Sequence, residues 1–428
     1  MSAPTPASAA ASRVAHRATF FRQSGWMMLA TVIGGMLMWS VHLLSRAIPA
    51  SEYGTLITLF AVVNLIPTMP LQMVFTQQTA QALATGREAQ LAGLLRWTAV
   101  AMLVAWALGT LVVESLHGAI GRNWHLVNPA ALPGMLVVIL LSLAWPVFAG
   151  LLQGQQTFLW LGWCSILNGA GRIGAAVLIV FAWHGQATGI MVAVAAGLLL
   201  ACGLGAWQTR PLWGAVAAPF DHAILRGQVL PLMLGFGATQ FLFCADTAFV
   251  NAYFGAERTA PYGAAGTLSR ALLWLVLPLA GVLFPKLVHS HAKAEKSGLL
   301  GVSLLITGTL AGLGLLGLWL LGPWLVLIFP AGYRSDILAV LPWYAGAMIP
   351  LALGNLLVND LLARSRFRVV PALMVVAVGY GLALSRWHTS PTMVLQLLGG
   401  FNLLLLVVCV WFAWRDGKSK VQAPNSKV

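Results

Sequence analysis

Charged side chains inside long apolar segments are the residues of this chain whose types could do chemistry. Arg172, Asp246, Arg270 and Asp360 each lie within a run of otherwise mostly apolar residues. A charge in such a run must be paired, hydrated or functional, because burying it in a bilayer is costly. A guanidinium binds anionic oxygen atoms through parallel hydrogen bonds, and a carboxylate within a membrane is a site for a proton or a cation. The sequence therefore offers groups for anion binding and for ion coupling.

The segments that hold these charges predict an all-α polytopic membrane protein. Of the 428 residues, 59% are hydrophobic and 8% are charged. Apolar runs of about 18–25 residues match a hydrocarbon core of roughly 30 Å, and backbone groups in lipid must be satisfied within their own segment. The sequence therefore predicts twelve transmembrane helices. Their predicted spans are Gly25–Leu44, Thr55–Phe75, Leu94–Val113, Leu132–Leu152, Leu159–Trp183, Gly189–Trp207, Val229–Phe254, Ala265–Phe284, Leu299–Leu321, Ile337–Leu362, Phe367–Leu384 and Thr392–Trp414.

The distribution of Lys and Arg predicts the orientation of these helices. Seventeen of these residues fall on one side and five on the other, and Arg172 and Arg270 inside the membrane complete the total of 24. Because cationic loops resist translocation, we expect both termini in the cytoplasm. The net charge of +14 indicates topology and affinity for anionic lipid headgroups, not nucleic-acid binding. Residues 1–22 are predicted to form a disordered, basic N-terminal tail.

An internal repeat divides the predicted helices into two sets of six. Three markers recur at offsets of 208 or 209 residues: Tyr53-Gly54 with Tyr262-Gly263, Pro70-Leu71 with Pro278-Leu279, and Phe158 with Phe367. They predict an N-terminal six-helix bundle over residues 1–219 and a C-terminal bundle over residues 220–428, which ends in a short basic tail. A parallel repeat of this kind is typical of transporters with a central cavity between the halves.

Three motifs give the chain a resemblance to a known family. They are the segment Leu44–Gly54, the segment Gly150–Gly154 followed by Phe158, and Asp246 with Tyr262–Ala265 and Leu283–Lys286. Together they resemble the polysaccharide and lipid-linked-oligosaccharide flippases of the MOP superfamily. Glutamines at Gln72, Gln77 and Gln78 depart from the basic residue that many relatives place after helix 2.

The resemblance implies a transporter of the bacterial inner membrane. Such a protein moves an undecaprenyl-pyrophosphate-linked oligosaccharide from the cytoplasmic to the outer leaflet by alternating access, for cell-surface polysaccharide such as O-antigen, lipopolysaccharide or exopolysaccharide. Its expected partners are the lipid-linked oligosaccharide, anionic membrane lipids, a polysaccharide polymerase and glycosyltransferases.

The charged and amide residues supply the candidate site. Arg172 lies about fourteen residues into its helix, or roughly 20 Å at 1.5 Å per residue, and a pyrophosphate needs such fixed donors. We expect substrate binding by Arg172, Arg270, Asn168, Gln72 and Gln240, and coupling to H+ or Na+ at Asp246. Asp246 and Arg270 are predicted at similar depth on successive helices, where they form either a static salt bridge or a coupling pair. Asp360, four residues before Arg364, predicts an ordinary helical ion pair.

Other functions are less well supported by the sequence. The chain has no P-loop, and its four cysteines have no metal-ligand spacing, so no catalytic residue, metal or bound cofactor is predicted. A cation-coupled multidrug exporter of the same superfamily is the main alternative. A polytopic polysaccharide polymerase or ligase is a weaker one, since the longest predicted outer loop, Glu114–Ala131, contains one Arg and two His residues.

Overall fold

The protein is an all-α membrane protein, as the sequence predicts. The computed structural model describes residues 25–126, 128–220, 225–271 and 299–421, and these residues contain no β-strand. Within this part of the chain, eleven helical segments are long and apolar enough to cross a membrane. The helices are α1 Gly25–Arg46, α2 Ala50–Asn64, α3 Met69–Thr85, α4 Glu88–Ser115, α5 His117–Asn123, α6 Ala131–Gly154, α7 Phe158–Trp183, α8 Gln186–Gly214, α9 Leu230–Phe254, α10 residues 256–271, α11 Leu299–Leu325, α12 Arg334–Ala363, α13 Val370–Arg386 and α14 Pro391–Val421.

The second predicted helix is not continuous. Its expected span, Thr55–Phe75, contains the end of α2 at Asn64 and the start of α3 at Met69. The prediction of one helix was wrong because Pro67 and Pro70 lack N–H donors, and a proline also disfavours helical geometry at the residue before it. A side chain from α9 satisfies one backbone group at the break, since Gln240 Nε2 donates to the carbonyl oxygen of Asn64 at 2.8 Å.

A single glycine joins α9 to α10. Gly255 has φ +81°, a value that glycine adopts without the steric cost that a side chain would bring. α10 therefore begins nine residues before the predicted start at Ala265 and runs directly back from the end of α9. The rest of the predicted eighth helix, residues 272–284, lies outside the described residues.

The chain forms two compact units. The first comprises Met1–Ala47, Thr68–His117 and Ala130–Asp221, so far as these ranges are described, and the second comprises Ile48–Pro67, Gly118–Pro129 and His222–Val428. Helix α2 thus belongs to the second unit, although it precedes the predicted midpoint of the repeat. The division into bundles at residues 219 and 220 stays a prediction.

Close helix crossings in both units depend on glycine. In the first unit, a Cβ on Gly197 of α8 would lie 2.8 Å from the backbone nitrogen of Arg172 on α7. In the second unit, a Cβ on Gly54 of α2 would overlap the carbonyl oxygen of Ala256, and one on Gly263 of α10 would overlap the Cγ2 methyl of Ile57. Small residues let helix backbones approach closely. The repeated Tyr-Gly marker of the sequence therefore lies on both sides of one crossing between α2 and α10.

Candidate functional site

A buried carboxylate on α9 is the centre of a hydrogen-bond network in the second unit. The side chain of Asp246 is fully buried. Its Oδ1 accepts a hydrogen bond from Arg270 Nη2 at 2.9 Å, and its Oδ2 accepts one from the Tyr262 hydroxyl at 2.9 Å. The Tyr344 hydroxyl also donates to Oδ2. The pairing of Asp246 with Arg270, which their predicted depths suggested, is confirmed, and its role in transport stays a prediction.

Arg270 is held along one edge of its guanidinium. Its Nε donates to the carbonyl oxygen of Phe243 at 2.9 Å, and Nη2 approaches Thr247 Oγ1 at 2.9 Å and the Tyr344 hydroxyl. Nη1 donates to no atom of the described residues, and the side chain is 13% exposed. The guanidinium is therefore fixed in orientation, and within the described part of the chain its Nη1 keeps donors that no acceptor uses.

Local helix geometry explains why these side chains meet. Phe243, Asp246 and Thr247 lie three and four residues apart and share one face of α9. Tyr262 and Arg270 are eight residues apart on α10, which places them on one helical stripe. Because the chain reverses at Gly255, Tyr262 and Arg270 on α10 face α9. The network thus follows from helix periodicity and a sharp turn.

Three members of this site were not among the residues proposed from the sequence: Tyr344, Tyr262 and Thr247. Tyr344 lies on α12, 98 residues after Asp246, and no spacing rule brings these helices together. One signal was present: the chain has only 6 tyrosines, and a buried hydroxyl usually requires a polar partner.

Arg172 and Asn168 lie on one face of α7 in the first unit. Asn168 is buried, and its Nδ2 lies 3.5 Å from Met38 Sδ on α1. The Arg172 side chain is half-buried and acts electrostatically on His42, also on α1. The two residues proposed from the sequence as substrate ligands therefore face the same neighbouring helix, with the close α7–α8 crossing beside them.

The two glutamines among the candidate residues bridge helices. Gln72 Nε2 on α3 donates to Gln153 Oε1 on α6 at 3.0 Å, and Thr76 Oγ1 donates to the same oxygen at 3.3 Å. Gln240 joins α9 to the end of α2 through the carbonyl oxygen of Asn64. These bonds give both glutamines a structural role, and substrate binding by either stays a prediction.

Two further expectations concern acids and metal ligands. The helical ion pair of Asp360 and Arg364 is confirmed, with Nη2 to Oδ1 at 2.5 Å. Over the described ranges, no three His, Cys, Asp or Glu side chains are grouped so that they could hold a metal ion.

Comparisons with known proteins give the fold. No family model and no curated protein sequence matches the chain. Among solved structures, an inward-facing multidrug resistance MATE family transporter of the MOP superfamily has TM-score 0.72 at 12% identity, covering 92% of this chain and 96% of its own. A MATE protein in complex with MaD5 has TM-score 0.61 at 12% identity, covering 94% and 96%. The lipid II flippase MurJ, in an inward closed conformation, has TM-score 0.63 at 12% identity, covering 92% and 87%. This chain therefore has the fold shared by these MATE transporters and the lipid II flippase MurJ.

Proposed function

We propose that the protein is a flippase that moves an undecaprenyl-pyrophosphate-linked oligosaccharide from the cytoplasmic to the outer leaflet by alternating access. The observation that carries the proposal is the guanidinium of Arg270, which is fixed along one edge and whose Nη1 has no acceptor among the described residues. Anionic oxygen atoms are the ligands that guanidinium groups bind best.

A second guanidinium supports an anionic substrate. Arg172 is half-buried within α7, far from the helix ends, where a charge is costly unless it has a function or a partner. A pyrophosphate offers several charged oxygen atoms, so it is a substrate that can be handled by more than one arginine. We propose that Arg172 and Asn168 bind the headgroup at one stage of transport and Arg270 at another.

The Asp246 network gives a route to ion coupling. An anion bound at Nη1 and the Asp246 carboxylate both interact with the positive charge of Arg270. Substrate binding therefore changes the affinity of Asp246 for a proton or cation, and the reverse also holds. We propose that this linkage couples transport to an ion, H+ or Na+, at Asp246. We also propose that the termini lie in the cytoplasm of a bacterial cell, and that a polymerase and glycosyltransferases act on the same substrate.

A multidrug exporter is the alternative that the comparisons favour, since one similar structure is described as a multidrug resistance transporter. Cationic drugs bind best to carboxylates that are free to receive them. Asp246 within α9 and Asp360 within α12 are both paired with arginine. This pairing favours an anionic substrate over a cationic one.

Flipping can be measured in proteoliposomes with a radiolabelled undecaprenyl-pyrophosphate-linked oligosaccharide and a glycosidase that cannot cross the membrane. The wild type should make the whole pool accessible, whereas protein-free vesicles should expose only the outer leaflet. Arg172→Ala should abolish the gain, and Arg172→Lys should keep part of it, because an ammonium cannot form the paired contacts of a guanidinium. Arg210→Ala is the matched control, since Arg210 stacks on Trp207 near the end of α8.

Two outcomes would contradict the proposal. One is equal flipping by the wild type and Arg172→Ala. The other is equal flipping of an isoprenyl glycoside that lacks phosphate, which would show that no anion is recognised.

A further inference from the structure

The oxygen atoms around Arg270 form a cage of the kind that binds a metal cation. Along one edge of the guanidinium, Nε contacts the Phe243 carbonyl, and Nη2 contacts Asp246 Oδ1, Thr247 Oγ1 and the Tyr344 hydroxyl. Hard cations take carboxylate, carbonyl and hydroxyl oxygen atoms as ligands, and sodium sites in transporters use such groups near the membrane midplane. Here the guanidinium of Arg270 occupies the position that such a cation would take.

The charge of this cage is already balanced. Asp246 supplies one negative charge, Arg270 supplies one positive charge, and the carboxylate is fully buried. A second cation would bring an unbalanced positive charge into the apolar interior, which is costly. At Oδ2 it would also compete with the hydrogen bonds that the Tyr262 and Tyr344 hydroxyls donate.

We propose that Arg270 is a tethered counter-ion that closes the Asp246 site to dissociable metal cations, so that the wild-type protein neither binds sodium there nor depends on sodium for transport. Only the statement about transport rests on the proposed function. With sodium excluded, the proton is the coupling ion that remains for Asp246. A tyrosine hydroxyl both donates and accepts hydrogen bonds, so Tyr262 and Tyr344 can turn to accept one from a protonated Asp246. Rotation of the two hydroxyls creates no space for a metal cation beside Arg270.

The proposal predicts a gain of sodium binding when the tethered charge is removed. Arg270→Ala leaves the four oxygen atoms in place and empties the space between them. In detergent, thermal unfolding of the purified full chain is compared in sodium chloride and in choline chloride at equal ionic strength. For a site half-saturated at about 10 mM, roughly 100 mM sodium shifts the folded-to-unfolded ratio about elevenfold.

The expected results differ among four proteins. The wild type should unfold alike in both salts, and Arg270→Ala should be stabilised by sodium in a saturable manner. Arg270→Met, which fills the space with an apolar chain, and the double variant Arg270→Ala with Asp246→Asn should show no sodium effect. Sodium stabilisation of the wild type that Asp246→Asn removes would overturn the proposal, as would a folded Arg270→Ala protein with no sodium effect.

A second measurement decides the matter if Arg270→Ala does not fold. Flipping by the wild type is measured with sodium or choline on both sides of the vesicles, and equal rates are expected. A sodium requirement would overturn the proposal. The unfolding assay needs no substrate, so a protein that fails to flip the oligosaccharide but behaves as expected in the two salts contradicts the proposed function alone.

Discussion

The crossing of α2 and α10 gives the sharpest structural prediction. A Cβ on Gly54 would overlap the carbonyl oxygen of Ala256 and lie 2.6 Å from its carbonyl carbon. Carbon atoms in contact lie about 3.5–4.0 Å apart, so Gly54→Ala must separate the two helices by roughly 1 Å. The three atoms nearest to a Cβ on Gly263 would instead belong to the side chain of Ile57, namely Cγ2, Cβ and Cγ1. The two glycines therefore differ in whether a second mutation can restore the fit.

Overpacking of this kind costs about 1–3 kcal/mol. If that cost falls on the packed state, the population with α2 detached from α10 rises about 5-fold to 150-fold. Gly54→Ala should show this effect whatever side chains surround it, because the obstacle is backbone. Gly263→Ala should show a similar effect in the wild-type background and lose most of it when Ile57→Ala removes the opposing methyl groups.

Cysteine labelling measures the detached population. Thr55, which is 1% exposed on α2, is replaced by Cys in a chain whose four native cysteines are substituted, and the rate of reaction with N-ethylmaleimide is recorded. Gly109→Ala is the matched control, since a Cβ there meets nothing within 4 Å. Labelling of Gly54→Ala at the control rate, or rescue of Gly54→Ala by Ile57→Ala, would refute the reasoning.

Two other predictions concern the Asp246 network and the topology. Tyr344→Phe removes a hydroxyl that donates to a buried carboxylate and accepts from Arg270, so it should destabilise the protein by about 1–3 kcal/mol in detergent-mediated unfolding; a loss below about 0.5 kcal/mol would contradict the network. In intact cells, Cys placed at Glu257 should react with a membrane-impermeant maleimide, and Cys placed at Arg366 should not. The balance of Lys and Arg predicts that Arg366 lies on the cytoplasmic side. The reverse labelling pattern would contradict the predicted orientation.

Features that depend on a single helix could be predicted from the sequence, whereas contacts between two helices were harder to predict. The ion pair of Asp360 and Arg364 follows from a spacing of four residues, and the all-α fold follows from apolar run length. The pairing of Asp246 with Arg270 was within reach because their helices are consecutive. Tyr344 was not, since the packing of α12 against α9 depends on side-chain shapes far apart in the chain. The break at Pro67 was visible, but membrane helices often tolerate proline.

The place of α2 in the second unit has a consequence for biosynthesis. Tyr53 packs against Phe329 and stacks on Tyr333, residues that the ribosome adds about 280 positions later. At about 5–20 residues per second, α2 waits roughly a quarter of a minute to a minute for these partners. During this time, the face of α2 that later packs against these residues is exposed to lipid or to proteins that assist membrane insertion. A chain cut at the midpoint of the repeat keeps α2 but lacks the aromatic partners that Phe329 and Tyr333 provide.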